Sequence, residues 1–312
     1  MGKSALLALG GGGLSGAAVL AALVGSPIGI IAVYLAALPL LMAGLALGMS
    51  GFGLAAAAGL ALATVFGGFA AAGLYAGMHV IPSWLIVQQS LRTTGAAAGQ
   101  WRPIGHVLAT LTLLMAFVVA ATSLAGGAGG ASAGVEESVR ALLATATEMI
   151  AGLDEETRTA LIDQVAPLFP GFSAVFWLLT IVANAALAQA VLVARSWNLR
   201  PKPRWSAVRL PGWFDWPLVV SAVIGLIGSG DIAYVARNVS VILLTPYFLV
   251  GLAVVHCFAR QARSRTLLLM AFYSLLMFFF VFAAMLVAAL GIAEQWVGIR
   301  RRLGPSPPAA ND

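Results

Sequence analysis

Long apolar runs separated by short loops dominate the chain, and most of the charge sits in those loops. A helix rises 1.5 Å per residue, so about 20 apolar residues cross the roughly 30 Å hydrocarbon core of a bilayer. Nine runs reach or approach that length: 5–24, 28–47, 52–69, 71–91, 103–124, 171–194, 216–229, 239–258 and 266–290, with 216–229 the shortest. The pattern predicts an all-α fold, a polytopic transmembrane helix bundle of eight or nine spans. Short loops rich in Lys and Arg mark cytoplasmic ends. Arg92 and Arg102, then Arg195, Arg200, Lys202, Arg204 and Arg209, then Arg260, Arg263 and Arg265 belong there on this rule, and Lys3 puts the N-terminus on the same side. Nine spans carry Arg300, Arg301 and Arg302 to the far side, against the rule. Either 52–69 or 216–229 then fails to cross, or the tail is an exception.

One stretch breaks the apolar pattern. Residues 125–170 hold seven acidic side chains (Glu136, Glu137, Glu148, Asp154, Glu155, Glu156 and Asp163) against Arg140 and Arg158, a local charge of −5 that places the stretch outside. Val135, Val139, Leu142, Leu143, Met149 and Ile150 recur at helical spacing, and Leu161, Ile162, Val165 and Leu168 follow Asp154, an expected N-cap. The result is an extracytoplasmic amphipathic helical insertion whose acidic polar face suits the mouth of the bundle better than an anionic lipid surface. The organisation reads as N-terminal transmembrane helices (1–124), the acidic insertion (125–170), C-terminal transmembrane helices (171–303) and a disordered tail (304–312).

Composition sharpens the class. The 312 residues are 61% hydrophobic and 9% charged, where soluble domains carry about 25% charged residues. An integral membrane protein follows. Cys257 is the single cysteine, so no intrachain disulfide forms. The net charge of +6 is spread over short loops without interleaved aromatics, so nucleic acid is not an expected partner. The first run lacks a small-residue cleavage site and is read as a retained span.

Familiar chemistry is missing. In the N-terminal Met-Gly-Lys-Ser the Lys-Ser pair precedes the glycines, the reverse of a phosphate-binding loop. His79, His106 and His256 fall on different runs, and no metal-ligand spacing appears. With no nucleophile elbow and no paired carboxylates, neither an enzyme nor a cofactor is expected.

Two other patterns remain. Gly13, Ala17, Ala21 and Gly25 form a small-residue ladder, as do Ala55, Gly59, Ala63 and Gly67. Such ladders let helix backbones approach closely, either within the chain or against a docked membrane subunit. Polar stripes also mark three runs: Tyr75, His79 and Ser83; Ser173, Trp177, Thr180 and Asn184; and Asp231, Tyr234 and Asn238, continued by Thr245 and His256 if Pro246 only kinks the helix. Arg237 lies off the last stripe and needs a partner from another helix. Polar groups facing lipid are costly, so the stripes should turn inward, to lock helices or to line a cavity. A ligand site of Asp231, Tyr234, Asn238, Trp177 and Asn184 would suit a small, partly aromatic and cationic solute.

The runs at 25–48, 101–111, 183–213, 236–260 and 290–303 carry a resemblance to a known family. Its most specific elements are the Arg200-Pro201 turn after Asn184 and Gln189, the Arg237-Asn238 pair, the segment Gly251 to His256 and the terminal arginine triplet. On these the chain resembles the YybS-like family of bacterial membrane proteins of unknown function. That family is itself distantly similar to the substrate-binding subunits of energy-coupling-factor transporters. The resemblance implies a bundle in the bacterial cytoplasmic (inner) membrane, a ligand pocket open to the outer face, and early helices that contact a membrane coupling subunit served by a separate ATPase. Small-solute binding or transport is the expected function; a non-transporting scaffold of the cell envelope is the alternative.

Overall fold

The computed structural model describes residues 2–93, 101–125, 131–148 and 154–302. Among them the secondary structure is helical, with one isolated bridge between Thr93 and Trp101. Met149, Ile150 and the tail expectation for 304–312 lie outside the described residues. In chain order the helices are α1 (Lys3–Leu23), α2 (Pro27–Ala32), α3 (Ala37–Tyr75), α4 (Ile81–Ser90), α5 (Ile104–Leu124), α6 (Ala131–Glu148), α7 (Glu155–Val165), α8 (Phe169–Ala194), α9 (Asp215–Ile227), α10 (Gly230–Gln261), α11 (Arg265–Phe278), α12 (Phe280–Val297) and the short α13 (Ile299–Arg302).

Among the described residues six helical segments are long and apolar enough to cross a membrane: Lys3–Leu23, Pro27–Ser90, Ile104–Leu124, Glu155–Ala194, Gly230–Gln261 and Phe280–Val297. Outward-facing side chains agree with a lipid environment, Leu226 being 81% exposed and Phe282 74%. Three of the nine sequence-derived runs, 28–47, 52–69 and all but the last residue of 71–91, share the 64 residues of Pro27–Ser90. That segment is not straight. Gly48 (φ 79°) and Gly68 (φ 75°) adopt left-handed conformations open to glycine at little cost, and both interrupt α3. Beyond Gly68 the chain doubles back: a Cβ at Gly59 would lie 2.8 Å from Cζ of Tyr75, whereas a straight helix would hold those residues about 24 Å apart. Beyond Gly48 it does so again, with Ala43 O only 3.1 Å from a Cβ at Gly51. The expected run 266–290 is not one helix either, because Phe279 (φ −115°, ψ 41°) separates α11 from α12.

The chain forms two compact units, Met1–Leu111 with Phe176–Pro203, and Thr112–Val175 with Arg204–Asp312. In the first, α1 packs along α3. The contact face of α1 is Ala8, Gly12, Ser15, Gly16 and Val19, all buried. A Cβ at Gly12 would meet the Ala55 backbone, and one at Gly16 would stand 3.2 Å from Cα of Gly59. The ladder Gly13, Ala17, Ala21 and Gly25 is therefore one register off the real contact. Ala55, Gly59 and Ala63, by contrast, are buried, with Ala55 and Gly59 covered by the chain's own first helix, while Gly67 is exposed.

In the second unit α9 and α10 form an antiparallel pair. Ser240 Oγ donates to Ser221 Oγ at 2.9 Å, Arg237 Nε donates to Gly225 O at 2.8 Å, and Tyr247 Oη donates to Asp215 Oδ1. α12 runs antiparallel to α10 at close range, Gly251 lying against Val287 and Gly291 against Tyr247. Asp154 caps α7 as expected, accepting from Thr157 N at 2.8 Å, and Arg140 of α6 pairs with Asp163 of α7.

Candidate functional site

Inside an apolar bundle every polar group needs an internal partner, and most hydroxyls here find one locally. Thr64, Thr110, Thr122 and Thr180 each donate to the carbonyl four residues back, the usual way a helix absorbs a hydroxyl. Breaks in the helices demand more. Between α2 and α3 the chain passes through a short 3-10 turn, Val33–Leu35. Ser15 Oγ donates to Ala36 O, and Asn184 Nδ2 donates to Tyr34 O at 2.8 Å and to Thr180 O. A second break is a π-turn, Ala76–Val80, joining α3 to α4 just before Pro82. Proline has no N–H, so a carbonyl one turn back loses its helical donor. Met78 O instead accepts from Trp177 Nε1 at 3.2 Å.

This π-turn carries the middle of the stripe Tyr75, His79 and Ser83. Tyr75 is fully buried and donates to Ser15 Oγ at 2.9 Å. The His79 ring lies 6.0 Å from the Tyr75 ring, centre to centre. Next to this satisfied chain are two buried polar atoms with no hydrogen-bond partner in the protein, His79 Nδ1 and Ser83 Oγ. Ser83 is fully buried. π-turns inside α-helices recur at functional sites, and an unsatisfied buried polar group costs about 1–3 kcal/mol. The first unit therefore holds a face with unspent hydrogen-bonding capacity. Sequence reasoning found its residues as one of three stripes that could line a pocket but left them out of the five named as the ligand site.

The five residues read as that site divide between the units. Trp177 and Asn184 belong to the first, where both donate to backbone carbonyls, leaving Asn184 Oδ1 without a partner. Asp231, Tyr234 and Asn238 belong to the second. There Asn238 is fully buried and joins three backbone groups: Oδ1 accepts from Gly171 N at 2.7 Å, and Nδ2 donates to Pro167 O and Tyr234 O. Its amide ties α10 to the start of α8. Tyr234 is buried beside it and Asp231 half-buried one turn earlier. Arg237 has the external partner its position required, Gly225 O on α9.

Three further polar clusters escaped the sequence reading. Arg200 is buried, and its guanidinium donates to Ser90 O at the end of α4 and to Arg102 O before α5. Its own carbonyl accepts from Gln189 and Asn198. Burial lowers its pKa, although an arginine stays charged, and a cation suits the C-terminal carbonyls of a helix. In the second unit Glu294 and Arg300 form a buried ion pair at 2.9 Å, and Arg300 also donates to Ser206 O and Val208 O. Gln295 bonds both backbone groups of Leu210, and Asp215 accepts from Tyr247 and Trp296. These contacts bind the irregular segment 204–214 to the end of α12 and the middle of α10. Irregular backbone within a membrane protein persists where such partners surround it. Beyond Tyr247, α10 continues to Gln261, about 20 Å further, so the basic stretches 204–209 and 260–265 stand at different heights along it.

Among the described residues no group of three or more His, Cys, Asp or Glu side chains is arranged to hold a metal ion. Neither curated proteins nor solved structures give a match to the chain. Residues 15–294 match the family described as "Predicted membrane protein (DUF2232)", and with nearly all of its apolar helices inside that match the chain belongs to this family of membrane proteins.

Proposed function

We propose that this protein binds a small solute within the helices of its first unit, at the face formed by Tyr75, His79 and Ser83. The observation that carries the reading is the pair of buried atoms His79 Nδ1 and Ser83 Oγ, which have no partner in the chain. Groups close to them in the fold are satisfied: Tyr75 by Ser15, Met78 O by Trp177 and Tyr34 O by Asn184. A solute with one donor and one acceptor would complete both atoms, while the surrounding helices supply an apolar wall. Asn184 Oδ1 offers a further acceptor in the same unit. This reading is the one expected if the chain's sequence resemblance extends to substrate-binding subunits of energy-coupling-factor transporters. ATP-driven uptake would then rest on a separate coupling subunit and ATPase, since the chain carries no nucleotide-binding motif.

The same proposal includes a cytoplasmic N-terminus in a bacterial cytoplasmic membrane, and three crossings within Pro27–Ser90, reversed at Gly48 and Gly68. It keeps 125–170 as the extracytoplasmic insertion. A second reading, a non-transporting scaffold, is favoured by Asn238, whose amide is committed to Gly171, Pro167 and Tyr234.

Native mass spectrometry of the purified protein separates the two. A small molecule retained by the wild type and lost from both His79→Ala and Ser83→Ala supports solute binding. Wild-type protein without any retained molecule, or a molecule retained equally by the variants, removes this site and gives the scaffold reading first place.

A further inference from the structure

The junction of α10 and α11 joins two features that the solute site does not use. Arg260, Arg263 and Arg265 lie within six residues, at the end of α10, in the turn and at the first position of α11. All three are exposed. No Asp or Glu occurs between Asp231 and Glu294, so the sequence of α10, the turn and α11 supplies no carboxylate near them. Glu294, near the far end of α12, is already paired with Arg300. The second feature is α11 itself. Its 14 residues include no buried one, and at 1.5 Å per residue they reach only about 20 Å, too short to cross. Leu267, Met270, Leu275, Met277 and Phe278 are all exposed along it.

A basic head followed by an apolar helix that is too short to span is the chemistry of a headgroup site at a membrane surface. His256 and Tyr273 hydrogen-bond at 2.8 Å and hold α11 to α10 beneath the arginines. Arg260 stands one turn after His256, on the same face of α10. We propose that the α10–α11 junction binds the phosphate headgroup of an anionic phospholipid, with Arg260, Arg263 and Arg265 on the headgroup and the apolar side of α11 against the acyl chains. Guanidinium groups bind phosphate oxygens in pairs, and acyl chains give a lipid contacts that free phosphate lacks.

The test uses the full chain purified in a neutral detergent and titrated with phosphatidylglycerol, phosphatidylcholine or inorganic phosphate, read as the rise in thermal unfolding midpoint. Phosphatidylglycerol should raise the midpoint of the wild type well above phosphatidylcholine, and inorganic phosphate should leave it unchanged. Each of Arg260→Gln, Arg263→Gln and Arg265→Gln should weaken apparent phosphatidylglycerol affinity about fivefold, with an unaltered midpoint in its absence. The double variant Arg301→Gln with Arg302→Gln removes two exposed charges elsewhere and should keep the wild-type response. The proposal is overturned if all three single variants respond like the wild type, if the control loses affinity as they do, or if inorganic phosphate gives the same rise. Should a Gln variant fail to fold, Arg263→Lys keeps the charge but not the paired donors. It should lose affinity as well, and an undiminished response refutes the role given to Arg263.

Discussion

Adjacent glycines on α1 should respond in opposite ways to the same added methyl group. At Gly12 a Cβ would lie 2.7 Å from the carbonyl carbon and 2.9 Å from Cα of Ala55, on backbone that has no rotamer to yield. Carbon atoms pack at about 3.5–4.0 Å, so Gly12→Ala must push α1 from α3 by roughly 1 Å. The buried neighbours Ser15, Gly16 and Val19 ride on the same face, and the Tyr75–Ser15 hydrogen bond is stretched with them. Overpacking of this kind costs about 1–3 kcal/mol. At Gly13 nothing lies within 4 Å, and replacing a helical glycine by alanine gains about 0.5–1 kcal/mol. The two variants should therefore differ by roughly 1.5–4 kcal/mol, Gly12→Ala unfolding first. Unfolding in mixed micelles by a denaturing detergent, followed by far-ultraviolet circular dichroism, measures the difference. Equal stabilities, or Gly13→Ala the weaker, would refute the α1–α3 register.

Other consequences are simpler. Glu294→Gln leaves Arg300 buried against carbonyls without its carboxylate and should cost about 3–5 kcal/mol, read by the same detergent titration; a loss below 1 kcal/mol would mean that the pair is open to water. Arg237→Gln should weaken the α9–α10 pair without altering retention of any solute by native mass spectrometry, and a variant that releases the solute contradicts the assignment to the first unit. With Cys257 replaced by serine, Glu156→Cys should react with an impermeant thiol reagent in intact cells and Lys202→Cys should not, the reverse result inverting the topology. Thr157 hydrogen bonds hold the Asp154 carboxyl below its ordinary pKa. Because the folded value is the lower, its capping contribution is present above the ordinary carboxylate range and is lost as pH falls through the depressed value. Amide protection factors at the start of α7, corrected for the intrinsic pH dependence of exchange, should fall on acidification in the wild type but not in Asp154→Asn, where a neutral cap persists.

Much of this architecture is written in local pattern, and the rest is not. Apolar run length pointed to the membrane class; the gap after 47 opens at Gly48, where the backbone turns, while the second turn, at Gly68, lies inside the run 52–69. The face of α1 was harder, because Gly10 to Gly13 puts a small side chain at four successive positions and makes every register look alike. Arg237 advertised its need for a partner by standing off the stripe, but a backbone carbonyl such as Gly225 O leaves no mark in a sequence. Arg200 on Ser90 and Arg102, and Arg300 on Ser206 and Val208, are bonds to main chain across 90 residues or more. No periodicity encodes such distances. The terminal triplet shows the cost of counting charge alone: Arg300 is ion-paired with buried Glu294, so it is weak evidence for the side on which the chain ends.

The pairing of polar side chains with broken backbone also separates the face of His79 and Ser83 from the structural locks. Each irregular stretch has its own attendants: Ser15 and Asn184 at 33–36, Trp177 at the π-turn, Arg200 at the end of α4, and Gln295 with Arg300 at 204–214. Thr64, Thr110 and Thr180 instead donate within their own helices. A buried polar residue that satisfies such a backbone group is accounted for by it, and its substitution should act on folding. Ser83 serves no such group, nor does His79 through Nδ1. Their substitution by alanine removes unsatisfied atoms and should leave folding intact or improve it. If either variant instead destabilises the solute-free protein as Asn238→Ala does, the face belongs with the structural locks and the solute site must be sought elsewhere.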